Sequence, residues 1–353
     1  MSERGIHTLA EIRSQPSVWA KTLGEFEQQS PSLIQAWRDR PPHQVLFIGC
    51  GSSYYLAQTA ARLFRSRAGI PSHACPASEL FLFPEQVLTD PEETHLVAVS
   101  RSGTTTEVLL AVEQFRRRGG VAAWAITCYP ESSLAQMVDG ALAASAAQEK
   151  SLAQTRSFTS MLLLAQALAA SLGRQETAVL ARLPEVGQEL LAETDALAAG
   201  IGDRPDLNQF FFLGSGVLYG LASEGMLKIK EMSLSHSESY HFLEFRHGPK
   251  ALVNPQSLVV GLLSAEAYAH EYPVLREMGQ LGAETLALAA QATTGAMTYA
   301  VAFDSGLPDW ALPVLYLLPL QLLAYYRAIS KGLDPDRPRH LQAVVHLDPG
   351  NKS

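Results

Sequence analysis

Residues 97–107 read Val-Ala-Val-Ser-Arg-Ser-Gly-Thr-Thr-Thr-Glu, which puts five hydroxyls within seven positions: Ser100, Ser102, Thr104, Thr105 and Thr106. An apolar run, Leu96–Val99, precedes them, and Val108, Leu109, Val112 and Phe115 follow at helical spacing. The pattern predicts a strand, a tight loop and a helix N-terminus. Free backbone N–H groups and the positive end of the helix dipole attract an anion there. The hydroxyls add neutral donors, so a phosphate can be held without a lysine. An ordinary helix cap needs only one hydroxyl; the surplus favours phosphate binding.

A second hydroxyl-bearing loop precedes it. Val45–Ile48 runs into Gly49-Cys50-Gly51-Ser52-Ser53. A dinucleotide fingerprint would need a third glycine where Tyr54 stands and an acidic residue about twenty positions on. The second strand, around His73–Cys75, does not end in Asp or Glu, so a nicotinamide fold is not expected. No Gly-Lys-Ser/Thr follows either loop, so neither is an ATP-hydrolysing P-loop. Ser52 and Ser53 instead extend the supply of anion donors, because ligands of parallel α/β sheets collect at the carboxyl ends of the strands.

The second half has a different character. Glu224, Lys228 and Glu231 fall four and three residues apart, on one helix face. Such triplets commonly form a solvated stripe. Here Met226, Leu227 and Ile229 around them predict a mostly buried helix, in which a carboxylate beside a lysine can be tuned for proton transfer. His247-Gly248-Pro249 fixes a histidine at a turn. His236, His241 and His247 with Glu238 and Glu244 fit no HExxH or finger spacing, so no metal and no cofactor is expected.

These residues need a scaffold, and the pattern supplies one. Strand–helix alternation through Val45–Ile48, His73–Cys75, Leu96–Val99 and Val121–Thr127 predicts a parallel sheet covered on both faces. Residues 153–199 read as two long helices broken near Gly173. Phe210-Phe211-Phe212-Leu213-Gly214-Ser215-Gly216 then mirrors Leu46-Phe47-Ile48-Gly49-Cys50-Gly51, and Leu258–Leu263, Thr285–Leu288 and Ala300–Phe303 supply later strands. The fold class is therefore α/β, with two copies of one unit. The expected organisation is a helical segment over 1–40, a first subdomain over 41–200 and a second over 201–353, with the boundary at Gly200–Pro205. A polar tail, Asp334–Pro338, leads to an extended piece at Leu341–Leu347.

The bulk composition agrees. A chain of 353 residues with 47% hydrophobic and 18% charged residues can bury a sizeable core. A net charge of −8 argues against nucleic acid as a partner. Cys50, Cys75 and Cys128 read as reduced thiols of a cytoplasmic protein. No signal peptide opens the chain. The most apolar stretch, Trp310–Tyr326, holds Pro313, Pro319 and Gln321 and falls short of a bilayer span, so it reads as a buried helix or a subunit contact.

Taken together, the motifs Cys50–Ser53, Ser100–Thr105, Leu152–Thr159, Glu224–Glu231, Glu244–Pro249 and Pro338-Arg339 resemble the sugar isomerase (SIS) family, in particular the isomerase half of glucosamine-6-phosphate synthase and the SIS-type aminosugar-phosphate deaminases. The resemblance runs from about residue 40 to 347. It implies two tandem SIS-type subdomains, each a mainly parallel five-stranded sheet flanked by helices, a small-molecule sugar phosphate as ligand and a homodimer with a shared active site. It assigns phosphate binding to Ser53, Ser100, Ser102 and Thr105, with Arg101 in place of a glutamine. It gives Glu231 the proton shuttle between C1 and C2 of the open-chain sugar and places Lys228 near the developing oxyanion. It gives ring opening to His247, reaching from the neighbouring subunit. Leu152, Gln154 and Ala343 fall on segments that line the sugar.

Two departures matter. Met1 is followed by Ser2, not the nucleophilic cysteine of a glutaminase domain, so this chain is not expected to hydrolyse glutamine. Ala343 stands where the synthase has a lysine that forms an imine with the ketose, and Lys331 lies too far upstream to replace it. An aminosugar already carries its own nitrogen. The expectation is therefore a phosphosugar isomerase acting on an amino-hexose 6-phosphate, as glucosamine-6-phosphate deaminase or a fructosamine-6-phosphate deglycase would. A plain aldose–ketose isomerase and a non-catalytic sugar-phosphate regulator are the alternatives. The regulator would need an output domain, for which residues 1–40 are too short.

Overall fold

The computed structural model describes residues 4–342, apart from Thr294 and Ala296, together with Val344 and Leu347. Its frame is two sheets, each of five parallel strands. The first contains β1 (Gln44–Gly49), β2 (Ser72–Pro76), β3 (Thr94–Ser100), β4 (Ala122–Thr127) and β5 (Gly140–Ala143), in spatial order β2-β1-β3-β4-β5. The second contains β6 (Gln209–Leu213), β7 (His236–Tyr240), β8 (Ser257–Leu262), β9 (Glu284–Ala289) and β10 (Tyr299–Ala302), in order β7-β6-β8-β9-β10. The two orders are the same, so the expected duplication is real. In each, the strand order reverses direction between the first and third strands, β1/β3 and β6/β8. A doubly wound sheet opens a ligand crevice at such a point.

The strands form where apolar runs are continuous. Every residue of β3, β4 and β8 is buried, as parallel sheets covered on both faces require. On one face of the first sheet, Leu46, Ile48, Leu96 and Ala98 pack with Val108, Val112 and Phe115 of helix Thr106–Arg117 and with Leu80. Beside the sheet, Trp37, Phe47, Phe64 and Trp124 form an aromatic cluster around His95. In the second sheet, Phe211, Leu213, Val259 and Ala287 pack with Phe242, Phe245, Val274, Leu275 and Met278.

The two Gly-x-Gly turns repeat down to their backbone angles. Gly51 has φ +54° and Gly216 has φ +53°. A Cβ on Gly49 would lie 2.5 Å from the Ser53 backbone, and one on Gly214 would lie 2.6 Å from the Leu218 carbonyl oxygen. Each glycine lets a strand run directly into the helix that follows it.

By packing, the chain divides into two compact units that do not follow chain order. One comprises Lys21–Gln148 and Ser160–Glu176 and holds the first sheet. The other comprises the residues up to Ala20, Glu149–Thr159 and Thr177–Leu341, and holds the second. Strands β5 and β7 were not legible in the sequence. Trp310–Tyr326 falls largely within a buried helix, Pro313–Ser330. Among the described residues no helix is long and apolar enough to cross a membrane.

Candidate active site

In the first unit, the hydroxyl loops stand where the order of the sheet reverses. Ile48 of β1 is in register with Ala98 of β3, so the loops that follow these strands leave the same edge from adjacent positions. Ser52 and Ser53 open helix Ser52–Leu63 and are buried. Ser100 is buried at the end of β3. Its hydroxyl accepts from the Gly103 N–H (3.1 Å) and lies 3.3 Å from the Thr105 hydroxyl. The Ser102 hydroxyl accepts from the Thr104 N–H (3.2 Å) and the Thr104 hydroxyl (3.1 Å).

The loop is held from β4. The Arg101 carbonyl accepts from the Cys128 N–H (3.1 Å) and the Thr127 hydroxyl (3.2 Å), and the Gly103 carbonyl accepts from the Leu134 N–H (2.9 Å). Gly103 has φ +63°, and a Cβ there would sit 2.1 Å from the Ser132 hydroxyl oxygen. Thr105 is the N-cap of helix Thr106–Arg117, yet its side chain makes no capping bond. The loop is thus held in place, with the Ser100, Ser102 and Thr105 hydroxyls at a helix N-terminus. Ser52, Ser53, Ser100, Arg101, Ser102 and Thr105 all belong to it or to its neighbour. The Cys50 thiol beside them is pushed up to about 12 by burial and by the nearby Glu107, so it is a poor nucleophile.

In the second unit, helix Leu218–Ser233 carries the charged triplet. Lys228 is wholly buried, with Nζ 3.2 Å from Glu224 Oε1 and 2.6 Å from Glu231 Oε2. Burial works against the ammonium, but the two carboxylates outweigh it and raise its pKa, so Lys228 stays charged. Glu224 is as buried as Lys228, whereas the Glu231 side chain keeps 18% of its surface exposed. Glu231 is therefore the carboxylate of the triplet that a ligand can reach. A solvated stripe is excluded. Close packing buries the helix: a Cβ on Gly225 would lie 2.8 Å from Leu320 of helix Pro313–Ser330.

His247 is exposed on the turn after the short helix Phe242–Phe245, its N–H donating to the Glu244 carbonyl (2.9 Å). Glu238 lies on edge strand β7 and accepts from the Tyr240 hydroxyl (2.7 Å). Leu152 and Gln154 lie on the segment before helix Arg156–Leu172, and Gln154 Oε1 is buried with no hydrogen-bond partner among the described residues. Ala343 lies outside the described residues. Among the described residues no three His, Cys, Asp or Glu side chains gather as metal ligands would.

Three anchoring carboxylates were missed. Glu11 accepts from the Lys150 N–H (2.5 Å) and from the Ser151 N–H and hydroxyl. Glu149 accepts from the Thr155 N–H (2.7 Å) and hydroxyl (2.8 Å), and from the Ser157 N–H (3.1 Å) and hydroxyl. Asp336 accepts from the Thr8 N–H (2.7 Å) and hydroxyl (2.7 Å), while its carbonyl accepts from the Leu152 N–H (3.1 Å). Together they fix the 149–157 segment. Glu11 is 139 residues from Lys150, so no local pattern could have signalled the contact.

The SIS domain family model matches residues 40–171 and again 206–331. A glutamine–fructose-6-phosphate aminotransferase (isomerizing) of Pseudomonas putida is 34% identical over 361 residues, covering 96% of this chain and 58% of that protein. The namesake of Methanothermobacter thermautotrophicus is 30% identical over 357 residues, covering 99% of this chain and 59% of that protein. The chain thus spans under two thirds of the length of these relatives. The crystal structure of a glucosamine-6-phosphate deaminase from Thermotoga maritima matches with TM-score 0.80 and 32% identity, over 97% of this chain and 100% of that one. That of a tagatose-6-phosphate ketose/aldose isomerase from Escherichia coli, 24% identical, shares the fold with TM-score 0.85 over 98% of this chain and 97% of that one. The duplicated sheet, the hydroxyl loops and the buried Glu-Lys-Glu triplet agree with these matches, and the chain belongs to the SIS domain family.

Proposed function

We propose that this enzyme converts an amino-hexose 6-phosphate by a C1/C2 proton transfer and releases ammonia, as a glucosamine-6-phosphate deaminase or a fructosamine-6-phosphate deglycase would. The observation that carries this reading is the triplet: one carboxylate, Glu231, held at a fixed point by a buried cation and left partly open. The ring of hydroxyls and N–H groups around Ser53, Ser100, Ser102 and Thr105 takes the phosphate. With glucosamine 6-phosphate, Glu231 removes the C2 proton of the open-chain aldose and returns it to C1 while a proton passes from the C2 nitrogen to O1, which turns the C2 amine into an imine and the aldehyde into a hydroxymethyl group. Water adds to that imine, its C–N bond breaks, and ammonia and the ketose phosphate leave.

Lys228 holds Glu231 in position, and its charge favours the electron-rich intermediate. Gln154 offers an acceptor to a hydroxyl or amino group of the sugar. His247 serves ring opening from a second subunit of a homodimer. Support for an amino substrate comes from Ala343, which stands where the resemblance places the lysine that forms an imine with a ketose, and from the full-length match to the Thermotoga deaminase.

The test is direct. With glucosamine 6-phosphate, enzyme-coupled assays should detect ammonia and fructose 6-phosphate in equal amounts. Ketose formation without ammonia would mean simple carbonyl exchange, and no turnover on glucosamine or fructosamine 6-phosphates would refute the assignment. Glu231→Gln should lower kcat by about 10²–10⁴-fold while sugar-phosphate binding survives.

A further inference from the structure

The two sheets share one strand order and one Gly-x-Gly turn, so the second should open the same kind of crevice, between β6 and β8. Its surroundings differ. Counting from the paired glycines, Ser52 and Ser53 of the first loop correspond to Val217 and Leu218. The loop after β8 carries one hydroxyl, Ser264, in place of the Ser100–Thr106 cluster.

What fills the crevice is a side chain of the fold itself. Glu271, in the first turn of helix Tyr268–Gln280, is 1% exposed. Its Oε2 accepts from the Ser264 N–H (2.7 Å) and the Ser264 hydroxyl (3.0 Å). The Ser264 hydroxyl oxygen in turn accepts from the Ala267 N–H (3.1 Å). Ser215, in the Gly214–Gly216 turn, also favours the charged carboxylate, although burial outweighs these donors and raises its pKa. Oε1 is buried with no hydrogen-bond partner among the described residues. A carboxylate buried with one oxygen unsatisfied is costly. It is tolerated where donors already converge on an anion position.

We propose that the Glu271 carboxylate is an internal anion occupying the second crevice, so that the molecule accepts a phosphate at the first crevice alone, and that removing it uncovers a site for small oxyanions. This explains how a duplicated fold with two potential anion sites comes to use one. It goes beyond the reading of the front loops, and its test does not depend on them.

The test is the thermal response of Glu271→Ala to sodium formate and to inorganic phosphate, with sodium chloride matching ionic strength. It is run in a chain that also carries Ser53→Ala and Ser102→Ala, with that double variant as reference. The variant should melt lower in chloride and regain about 2–4 °C in saturating formate or phosphate beyond any gain of the reference. Glu271→Gln, which keeps the space filled, should gain nothing. Should Glu271→Ala not fold in chloride, refolding in formate should restore it. A Glu271→Ala chain that responds to neither anion more than its reference, or that neither anion refolds, overturns the proposal. Glu271 would then be only a tether of the 264–267 loop.

Discussion

Lys228 concentrates the residue-scale argument. An ammonium with no exposed surface is stabilised by two carboxylates that meet it at 3.2 and 2.6 Å. Lys228→Met would leave two carboxylates facing each other in a buried place. The expected cost is about 3–5 kcal/mol, read as a lower denaturant midpoint at neutral pH. An unchanged midpoint would mean that the triplet is looser than its distances. At the other end of the proposed substrate, Ser53→Ala and Ser102→Ala each delete one donor to a charged group. Each should raise KM for the phosphorylated sugar by about 10–100-fold. An unphosphorylated analogue should bind wild type and variants alike, and equal losses with both ligands would place these hydroxyls elsewhere than on the phosphate.

At the scale of elements, junctions decide. Gly49 joins β1 to helix Ser52–Leu63 with no room for a Cβ, because the obstacle is the Ser53 backbone at 2.5 Å. Gly49→Ala must therefore move the start of the helix. Its expected outcome is a loss of about 1–3 kcal/mol of stability together with weaker sugar-phosphate binding. Stability loss with binding intact would separate the junction from the site. On β3, His95 accepts a hydrogen bond at Nδ1 from the indole N–H of Trp124 on β4 (3.3 Å), while Nε2 is buried with no hydrogen-bond partner among the described residues. Burial, with help from Arg40, pulls its pKa down to about 4. The unfolded chain takes up this proton first as pH falls, so the stability His95 contributes is complete above about pH 6.5 and is lost progressively towards pH 4. Melting temperatures from pH 7.5 to 4.5 should fall more steeply for wild type than for His95→Gln. Parallel slopes would assign acid sensitivity to other groups.

At the scale of the whole molecule, the proposed dimer has a distinctive signature. If His247 serves a neighbour's Glu231, dimers formed by mixing Glu231→Gln with His247→Ala chains contain one intact pair of residues and one doubly defective pair. Each variant alone should be nearly inactive, and refolding the two together should recover activity in the mixed dimers. No recovery, with both variants folded and binding ligand, would mean that each chain uses its own histidine.

Much of this molecule was legible one residue after another. Eight of the ten strands among the described residues were legible, most of them as continuous apolar runs. The repeated Gly-x-Gly turn announced the duplication, and the cluster of Ser and Thr between β3 and the helix at Thr106 announced an anion site. Each signal is local: a two-sided strand must be apolar throughout, a strand running into a helix needs glycine, and a helix N-terminus presents bare N–H groups. The tertiary structure decided the rest. The polar edge strand β7, His236–Tyr240, pairs on one side alone and so carries no apolar signature. Whether Glu224, Lys228 and Glu231 formed a wet stripe or a buried triplet depended on the elements packed around their helix, among them helix Pro313–Ser330, some ninety residues later, whose Leu320 meets Gly225. Glu11 and Asp336 acquired their partners only when backbone N–H groups 139 and 328 residues away arrived beside them, and Glu149 and Glu271 only when a neighbouring loop folded back onto them. A carboxylate's role is set by the donors around it, and folding, not sequence neighbourhood, supplies them.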